Sequence, residues 1–236
     1  MTPVRHGRRF SAALEAARSA GRAPLIAEVK CRSPKEGDLL AGRDPVALAG
    51  TMESAGAACL SVVTEAEHFG GSRELLAAVA AAVSVPVLRK DFITDREEVR
   101  ASRELGASCL LLIVAVLDWP LLAELHGEAH RQGIETLVEI RDGAELEKAL
   151  TLDLDLLGIN NRDIRRLETD DGTVANALRL LQRVPPGIRT VSESAVSTAA
   201  DVRAVVEAGV LGVLVGTSLL RAADAAQAVE ELSSAL

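Results

Sequence analysis

Charged side chains interrupt short apolar segments at positions where they could do acid–base chemistry on an anion. Glu28 and Lys30 alternate within one segment, so both project from the same side of a strand. Lys90 closes another segment, and Glu139 lies within a third. A lysine that is near other cations or partly withdrawn from water has a lowered pKa and can act as a general acid, while facing carboxylates take protons. A structural ion pair is the alternative for Glu28 and Lys30, because buried charges are usually paired.

Other polar residues follow further apolar segments in the same way. Asn160 and Arg162 end one segment, and Glu193 and Ser194 end the next. Each feature alone is weak evidence, because charges are common at strand ends. If the segments are strands of one barrel, however, they place two lysines, three glutamates, an arginine and an amide around one rim. That set suits proton transfer to and from an anionic substrate.

Two segments have the composition of phosphate-binding loops. Residues 192–195 read Ser-Glu-Ser-Ala, and residues 215–218 read Val-Gly-Thr-Ser. Barrels often bind phosphate between their last two loops, through backbone N–H groups at a helix N-terminus. A plain helix cap is the alternative for Thr217 and Ser218, since both residue types cap helices. A cap and a phosphate site can coexist there.

Eight short apolar segments alternate with helical ones and must position these residues. They are rich in Val, Ile or Leu, as buried parallel strands are, and three junctions repeat a helix–Gly–strand pattern. The predicted strands are Leu25–Lys30, Cys59–Thr64, Pro86–Arg89, Cys109–Val114, Glu135–Ile140, Asp155–Ile159, Ile188–Ser192 and Gly212–Val215. The predicted helices include Pro45–Ala55, Arg73–Val83, Arg96–Leu105, Trp119–Gln132 and Thr198–Glu207.

This alternation predicts the α/β class and a (β/α)8 TIM barrel, with eight parallel strands and outer helices. We expect a single domain over residues 1–236, with a short helical extension at residues 9–20 or so. A doubly wound open sheet is the alternative fold. It is disfavoured because no GxGxxG follows the first strand.

Composition argues against several classes of protein. The 236 residues are 48% hydrophobic but only 2% aromatic, so the core must be aliphatic. The net charge is −8 without a basic run, which argues against a nucleic-acid partner. The N-terminal residues lack the apolar stretch of a secretory signal, and no segment is apolar enough to span a membrane. We therefore expect a cytoplasmic protein with no membrane partner.

The cysteine and histidine residues give little indication of a disulfide bond or a metal site. Cys31, Cys59 and Cys109 are far apart and are expected to be reduced thiols. His126 and His130 lie one turn apart on a predicted helix with no third ligand in view, so we expect surface residues and no metal site.

Eight segments carry a resemblance to a known family. They are IAEVKCRSP (26–34), SVVTEAEHFGGS (61–72), PVLRKDFITD (86–95), LLLIVAVL (110–117), LVEI (137–140), LGINNRDI (157–164), VSES (191–194) and GVLVGTSLLR (212–221). In order and spacing the chain resembles indole-3-glycerol-phosphate synthase along nearly its whole length. The specific signals are AEVKxxSP, LRKDF and GINNRD, because phosphate loops alone would not separate this family from other phosphosugar barrels.

The resemblance implies a carbon–carbon lyase (carboxy-lyase) of tryptophan biosynthesis. Such an enzyme closes the pyrrole ring of 1-(2-carboxyphenylamino)-1-deoxyribulose 5-phosphate, with decarboxylation and dehydration, to give indole-3-glycerol phosphate. It implies no metal and no organic cofactor. The expected partner is this anionic phosphorylated small molecule, and the expected state is a monomer or weak homodimer.

The resemblance also implies roles for residues of this chain. Lys90 matches the general acid of ring closure. Glu28, Lys30 and Glu139 match residues that hold the anthranilate part and move protons during dehydration, and Lys30 could also contact the substrate's carboxylate or phosphate. The remaining matches are Asn160, Arg162, Glu193 and Ser194 as positioning residues, Ser33, Gly216 and Thr217 as phosphate-binding residues, and Phe92 and Pro34 as apolar walls.

The chain departs from the family pattern at several places. Only 24 residues precede Leu25, where the family usually has a longer helical segment that helps to cover the site. Residues 35–37 read Lys-Glu-Gly instead of Ser-Lys-Gly, within a loop, Cys31–Asp44, that we expect to be a mobile lid. His68 replaces an aromatic residue and is expected to pack rather than catalyse. Ala195 replaces a glycine, which costs on the order of 1 kcal/mol if the backbone has a positive φ.

Three other functions remain open at this point. The departures fit a paralogue that acts on a modified anthranilate-type substrate. A phosphosugar isomerase, such as phosphoribosylanthranilate isomerase, would use a carboxylate or cysteine pair at opposed strand ends, but Cys31 has no matching acid and Lys90 would be unexplained. The third is a non-catalytic barrel that binds a phosphorylated ligand.

Overall fold

Eight parallel strands close into a barrel in the computed structural model, which describes residues 9–167, 169–170 and 172–236. The strands are β1 (Leu25–Val29), β2 (Cys59–Val63), β3 (Val87–Lys90), β4 (Cys109–Ile113), β5 (Glu135–Ile140), β6 (Leu156–Asn160), β7 (Thr190–Glu193) and β8 (Gly212–Val215). Each strand pairs with the next, and β1 closes the ring against β8, with Leu25 opposite Val213. The predicted TIM barrel is confirmed; β5 and β8 have the predicted bounds, and the other six strands differ from the predicted ones by one or two residues at one or both ends.

Helices surround the barrel and connect its strands. They are α1 (Phe10–Ser19), α2 (Pro45–Ser54), α3 (Arg73–Ala82), α4 (Arg96–Glu104), α5 (Trp119–Gln132), α6 (Gly143–Ala149), α7 (Ala175–Leu181), α8 (Ala199–Glu207), α9 (Thr217–Arg221) and α10 (Ala225–Ser233). Most begin after an Asp, Ser or Thr whose side chain accepts a first-turn N–H, as Asp95 does from Glu98. Among the described residues, no helix is long and apolar enough to cross a membrane.

Alternation along each strand sorts its side chains between two buried regions. In β1, Leu25, Ala27 and Val29 pack outward against the helices, whereas Ile26 joins a cluster inside the barrel. That inner cluster takes at least one aliphatic or thiol side chain from every strand. Because the period of a strand is two residues, Glu28 points into the barrel like Ile26.

Helix α1 closes the N-terminal end of the barrel. Phe10 and Leu14 are fully buried and belong to the inner cluster. Ser11 donates through its backbone N–H and its hydroxyl to the Glu135 carboxylate, at 2.9 and 2.6 Å. Because Glu135 begins β5, α1 lies at the opposite end of the barrel from the strand C-termini. It therefore does not cover the end where the charged rim lies.

The prediction that His126 and His130 are both surface residues is wrong for His126. His126 is 6% exposed, and its ring nitrogens lie 2.9 Å from the Thr136 hydroxyl and 3.0 Å from the Asp153 carbonyl oxygen. Burial lowers the pKa of His126 and favours its neutral form. His130 remains partly exposed beside Asp155. The helical period explains the error, since His126 shares the buried face of α5 with apolar residues.

The three cysteines are free thiols, as the sequence predicts. Cys59 and Cys109 are buried inside the barrel, where burial raises the pKa of both thiols well above its usual value. Cys31 is half-buried at the end of β1. The buried pair behaves as small apolar core residues.

The packing of α1 against the inner cluster leads to a prediction about stability. Leu14→Ala should lower the free energy of unfolding by about 2–5 kcal/mol, because it leaves a cavity under a fully buried side chain. Urea denaturation would measure the change. Leu236→Ala, at an exposed leucine, is the control and should change stability by less than about 0.5 kcal/mol. Equal effects of the two substitutions would contradict a closing role for α1.

Candidate active site

Lys90 lies at the centre of the charged rim, between two glutamates from the far side of the barrel. Its ammonium nitrogen is 4.0 Å from Glu139 Oε2 and 4.0 Å from Glu193 Oε2. The Lys90 side chain is 11% exposed, and both carboxylates are almost completely buried. These contacts join β3 to β5 and β7 across the barrel mouth, so a proton on Lys90 has two acceptors within a short displacement.

Glu28 and Lys30 form the ion pair that the sequence left as an alternative. Lys30 Nζ lies 3.1 Å from Glu28 Oε1, and both side chains are buried. The Lys30 ammonium also lies 5.8 Å from the centre of the Phe69 ring, within cation–π range. Both charged residues nevertheless line the cavity that contains Lys90, so pairing does not remove them from the site.

Asn160 connects Glu139 to the loop that follows β6. Its amide donates to Glu139 Oε2 at 3.1 Å, and its side-chain oxygen accepts the backbone N–H of Arg162 at 2.9 Å. The amide therefore fixes both the carboxylate and the start of the loop. Arg162 itself is half-buried and lines the cavity.

Two inward-facing glycines make room for the buried carboxylates. A Cβ at Gly158 would overlap Glu193 Oε1, and one at Gly216 would lie 2.5 Å from Glu28 Oε1. Gly216 is therefore required for packing, whatever its part in phosphate binding. The sequence did not single out Gly158, although a glycine within a strand often marks a close approach by another group.

The cavity at the rim has an apolar and a polar compartment. The apolar compartment is lined by Val63, Phe69, Phe92, Leu111, Ile113 and Ile164, among other residues. The polar compartment, about 280 Å³ in volume, is lined by the 194–197 and 214–218 segments, together with Arg162 and Gly172. Glu28, Lys30 and Lys90 border both compartments, so the two meet at these charges.

The apolar compartment is narrow, with about 30 Å³ of free space. This admits about two water molecules, so an aromatic ring could enter only if a side chain moved. Phe92, at the edge of the compartment, is partly buried. A change of side-chain rotamer on ligand binding is common even where the backbone stays fixed.

The backbone of the polar compartment is strained. Ser194 and Ala195 have φ angles of +62° and +57°, a conformation that favours glycine. From the sequence, Ala195 is expected to destabilise the fold only if its φ is positive, and in the structure its φ is positive. The strained turn follows β7 directly and brings Ser194 and Ala195 to the cavity wall.

Ser33 and Pro34 do not line either compartment. They belong to a small hairpin, with strands Arg32–Ser33 and Gly37–Asp38, in the loop predicted as a lid. The Ser33 hydroxyl accepts the Glu36 N–H at 3.1 Å, and Pro34 is exposed. An ion pair between Glu36 and Arg221 ties the hairpin to α9. The two residues can reach the cavity only if this loop moves.

Arg89 supports Lys90 from behind, a role the sequence did not reveal. It points outward from β3, is 2% exposed, and donates to Thr64 Oγ1 at 3.1 Å, Ser102 Oγ at 3.1 Å and Asp91 Oδ2 at 2.9 Å. Burial lowers the pKa of Arg89, and the Asp91 carboxylate opposes that shift. These bonds fix the backbone on both sides of Lys90. The one indication in the sequence was that Arg89 is next to Lys90 and therefore lies on the opposite face of the strand.

Asn161 is a second supporting residue that the sequence did not reveal. It is buried, and its amide nitrogen lies 3.1 Å from Ser192 Oγ, 3.0 Å from the Glu193 carbonyl and 3.1 Å from the Ser194 carbonyl. Its oxygen accepts the Ala177 N–H at 2.9 Å. Asn161 thus joins the loop after β6 to the strained turn after β7 and to α7. An asparagine side chain suits this because it both donates and accepts.

Comparison with known proteins identifies the family. The family model described as "Indole-3-glycerol phosphate synthase" matches residues 2–232. The protein of that name from Exiguobacterium sibiricum is 43% identical to this chain, over 89% of this chain and 80% of that protein. The one from Laribacter hongkongensis is 42% identical, over 95% of this chain and 85% of that protein. A third, from Burkholderia ambifaria, is 43% identical over 91% of this chain and 81% of its own length. This chain therefore belongs to the indole-3-glycerol phosphate synthase family.

Proposed function

We propose that this chain converts 1-(2-carboxyphenylamino)-1-deoxyribulose 5-phosphate to indole-3-glycerol phosphate. The observation that carries the proposal is the pair of compartments that meet at Glu28, Lys30 and Lys90. The substrate has an aromatic ring at one end, a phosphate at the other and a carbonyl between them. That order matches an apolar wall, a polar wall and an acid between the two.

The polar compartment holds the phosphate in this proposal. The first N–H groups of α9 have no partner within the helix and face an anion favourably. Thr217 and Ser218 of that first turn line the compartment, and Ser194 and Ser197 line its other side. Arg162 supplies a cation at its edge. Phosphate bound there directs the sugar chain toward Lys90.

Ring closure uses Lys90 as the general acid. The aryl carbon that bears the carboxylate attacks the carbonyl carbon, and Lys90 gives its proton to the carbonyl oxygen as the C–C bond forms. The carboxylate then leaves as CO2, and its bonding electrons return to the ring. Glu139 and Glu193, each 4.0 Å from the lysine nitrogen, hold Lys90 in the barrel mouth for this step.

Dehydration completes the pyrrole ring. The new hydroxyl leaves as water after protonation, and a base removes the proton from the neighbouring carbon. Lys30 and Glu28 are 3.1 Å apart at the junction of the compartments, and Glu139 lies 4.0 Å from Lys90, which borders the same junction. This distribution supports the three as the groups that hold the anthranilate part and move these protons. Asn160 keeps Glu139 oriented through its 3.1 Å hydrogen bond.

The other functions find less support in the site. An isomerase that used Cys31 would need its thiol in the cavity, but Cys31 lines neither compartment, and burial raises its thiol pKa. A paralogue with a modified anthranilate substrate keeps the same acid–base groups. Turnover assays with ring-substituted substrates would separate it from the proposed enzyme. A non-catalytic barrel would bind the substrate without turnover.

Three further expectations from the sequence remain proposals. They are one domain for the whole chain, a cytoplasmic location, and a monomer or weak homodimer. Sedimentation over a range of protein concentrations would test the last.

The role of Lys90 leads to a prediction about turnover. Lys90→Met keeps an unbranched side chain only one atom shorter but removes the acid, so kcat should fall by about 10²–10⁴-fold, the range for general acid catalysis. Substrate affinity should change much less, because other groups bind the phosphate and ring. Indole fluorescence of the product would report the rate. The control is Lys148→Met, at an exposed lysine on α6. An unchanged kcat, or equal losses of kcat and affinity, would contradict the acid role.

The contact between Gly158 and Glu193 leads to a second prediction. In Gly158→Ala the new methyl group occupies the position of the carboxylate, which must move away from Lys90. A shift of about 1 Å at a reacting group can cost about 10²-fold in rate. Kinetics should show this loss in a barrel that still melts cooperatively. Gly127→Ala, whose Cβ would meet only an arginine nitrogen at 3.6 Å, is the control. Full activity in folded Gly158→Ala would refute the positioning argument.

The polar compartment leads to a third prediction. A ligand that binds only the folded chain raises its melting temperature, by the equivalent of about 2.7 kcal/mol at 100 times its Kd. Inorganic phosphate and indole-3-glycerol phosphate should therefore both stabilise the protein in a thermal scan, relative to sodium chloride at equal ionic strength. Equal melting temperatures in phosphate and chloride would count against a phosphate site between the last two loops.

A further inference from the structure

A histidine–aspartate cluster lies at the N-terminal end of the barrel, away from the proposed active site. His126 and His130 are four residues apart on α5, so their imidazoles lie on one face of the helix, with ring centres 4.2 Å apart. Asp155, just before β6, is the third member. One potential ligand atom of each residue lies within 4.8 Å of those of the other two. The fold thus supplies the third ligand that the sequence did not show.

Hydrogen bonds fix the tautomer of His126. Its Nε2 lies 3.0 Å from the carbonyl oxygen of Asp153, which can only accept a hydrogen bond, so in the neutral ring Nε2 carries the hydrogen. The lone pair is therefore on Nδ1. A histidine held through one nitrogen by a backbone carbonyl, with the other nitrogen facing the ion, is the usual arrangement around protein-bound metals.

The Thr136 hydroxyl marks the centre of the cluster. It lies 2.9 Å from His126 Nδ1 and 3.3 Å from Asp155 Oδ2. The same carboxylate oxygen lies 2.8 Å from His130 Nε2 and accepts the backbone N–H of Thr136 at 2.9 Å. The groups thus converge on the Thr136 hydroxyl. A metal would displace this hydroxyl by a rotation of the Thr136 side chain, and small shifts of the other side chains would then bring them to metal–ligand distances.

The ligand types and access favour a particular class of metal. Two imidazoles and one carboxylate suit zinc and other divalent first-row transition metals, which accept a water molecule in a fourth position. A cleft of about 610 Å³, lined by His130, Asp153 and Asp155 among others, opens beside the cluster. It gives a metal and its water a route from solvent.

We propose that His126, His130 and Asp155 bind a divalent transition metal of the zinc class, with water completing its coordination. The metal ties the C-terminal half of α5 to the segment that leads into β6, next to the start of β5. It stabilises the closed end of the barrel and takes no part in the reaction at the other end.

A second cluster with similar residue types serves as the internal control. Glu65, Glu67 and His68 also lie within reach of one ion. The Glu65 carboxylate, however, already accepts the backbone N–H groups of Glu67, His68 and Phe69, at 2.8–3.0 Å. Both oxygens of Glu65 are engaged in shaping the loop after β2, whereas the hydrogen bonds of Asp155 go to Oδ2 alone. Burial raises the pKa of Glu65, but these bonds outweigh it and lower the pKa overall. We therefore expect no tight metal binding there.

Metal titration of the chelator-treated protein tests the proposal. Zn2+ would be followed by calorimetry and Co2+ by its visible absorption, in the parent, His130→Gln, Asp155→Asn and His68→Gln. We expect one metal per chain in the parent and in His68→Gln. His130→Gln and Asp155→Asn should each weaken binding by at least about tenfold. Zn2+ should raise the melting temperature only where it binds.

The metal-free variants provide the folding control. His130 and Asp155 lie at the edge of the cleft, so both variants should melt cooperatively without metal, and a loss of binding then reflects lost ligands. Absence of 1:1 binding in the parent overturns the proposal, as does binding that survives both substitutions or disappears equally in His68→Gln. None of these readouts uses turnover, so the result is independent of the proposed catalytic function.

Discussion

Buried ion pairing in the barrel mouth is the interaction on which the site depends. Charges withdrawn from water are costly unless they are paired, and removing one partner leaves the other uncompensated. Lys90 is held between Glu139 and Glu193, and Lys30 is held by Glu28. The barrel meets the need for pairing by placing the charges on strands that face each other across its interior, where each strand end can contribute only one or two side chains.

The rest of the rim preserves those pairings. Gly158 and Gly216 leave the space that two of the carboxylates occupy, and Asn160 orients a third. Behind the strands, Arg89 and Asn161 anchor the backbone that carries Lys90 and the turn after β7. The interior therefore supplies the reactive groups, and the layer between strands and helices sets where they point. The same alternation of strand residues produces both.

Local patterns in the sequence were sufficient to predict the barrel and to identify most of the charged residues that point into it. The eight apolar segments and their helical partners appear in the chain order that a barrel requires, and Lys90 and Glu139 stand out as charges in apolar runs. The contacts made by Arg89 and Asn161 join residues from different parts of the chain, so no local pattern could reveal them. The prediction that His126 lies at the surface was wrong because it followed the polar residue type and not the helical period, which places His126 on the buried face of α5. Ser33 and Pro34 were assigned to the site by resemblance, but the hairpin holds them outside it.

In the proposed reaction, one ligand spans both compartments with its reacting carbon at Lys90. A crystal structure with the substrate analogue in which the carbonyl is reduced to an alcohol would locate the phosphate, the ring and the reacting carbon separately. We expect the phosphate to lie between residues 194–197 and 216–218, the carboxyphenyl ring to lie against Phe92, and Lys90 Nζ to donate a hydrogen bond to the new hydroxyl. A phosphate bound elsewhere, or a hydroxyl out of reach of Lys90, would contradict the proposed reaction.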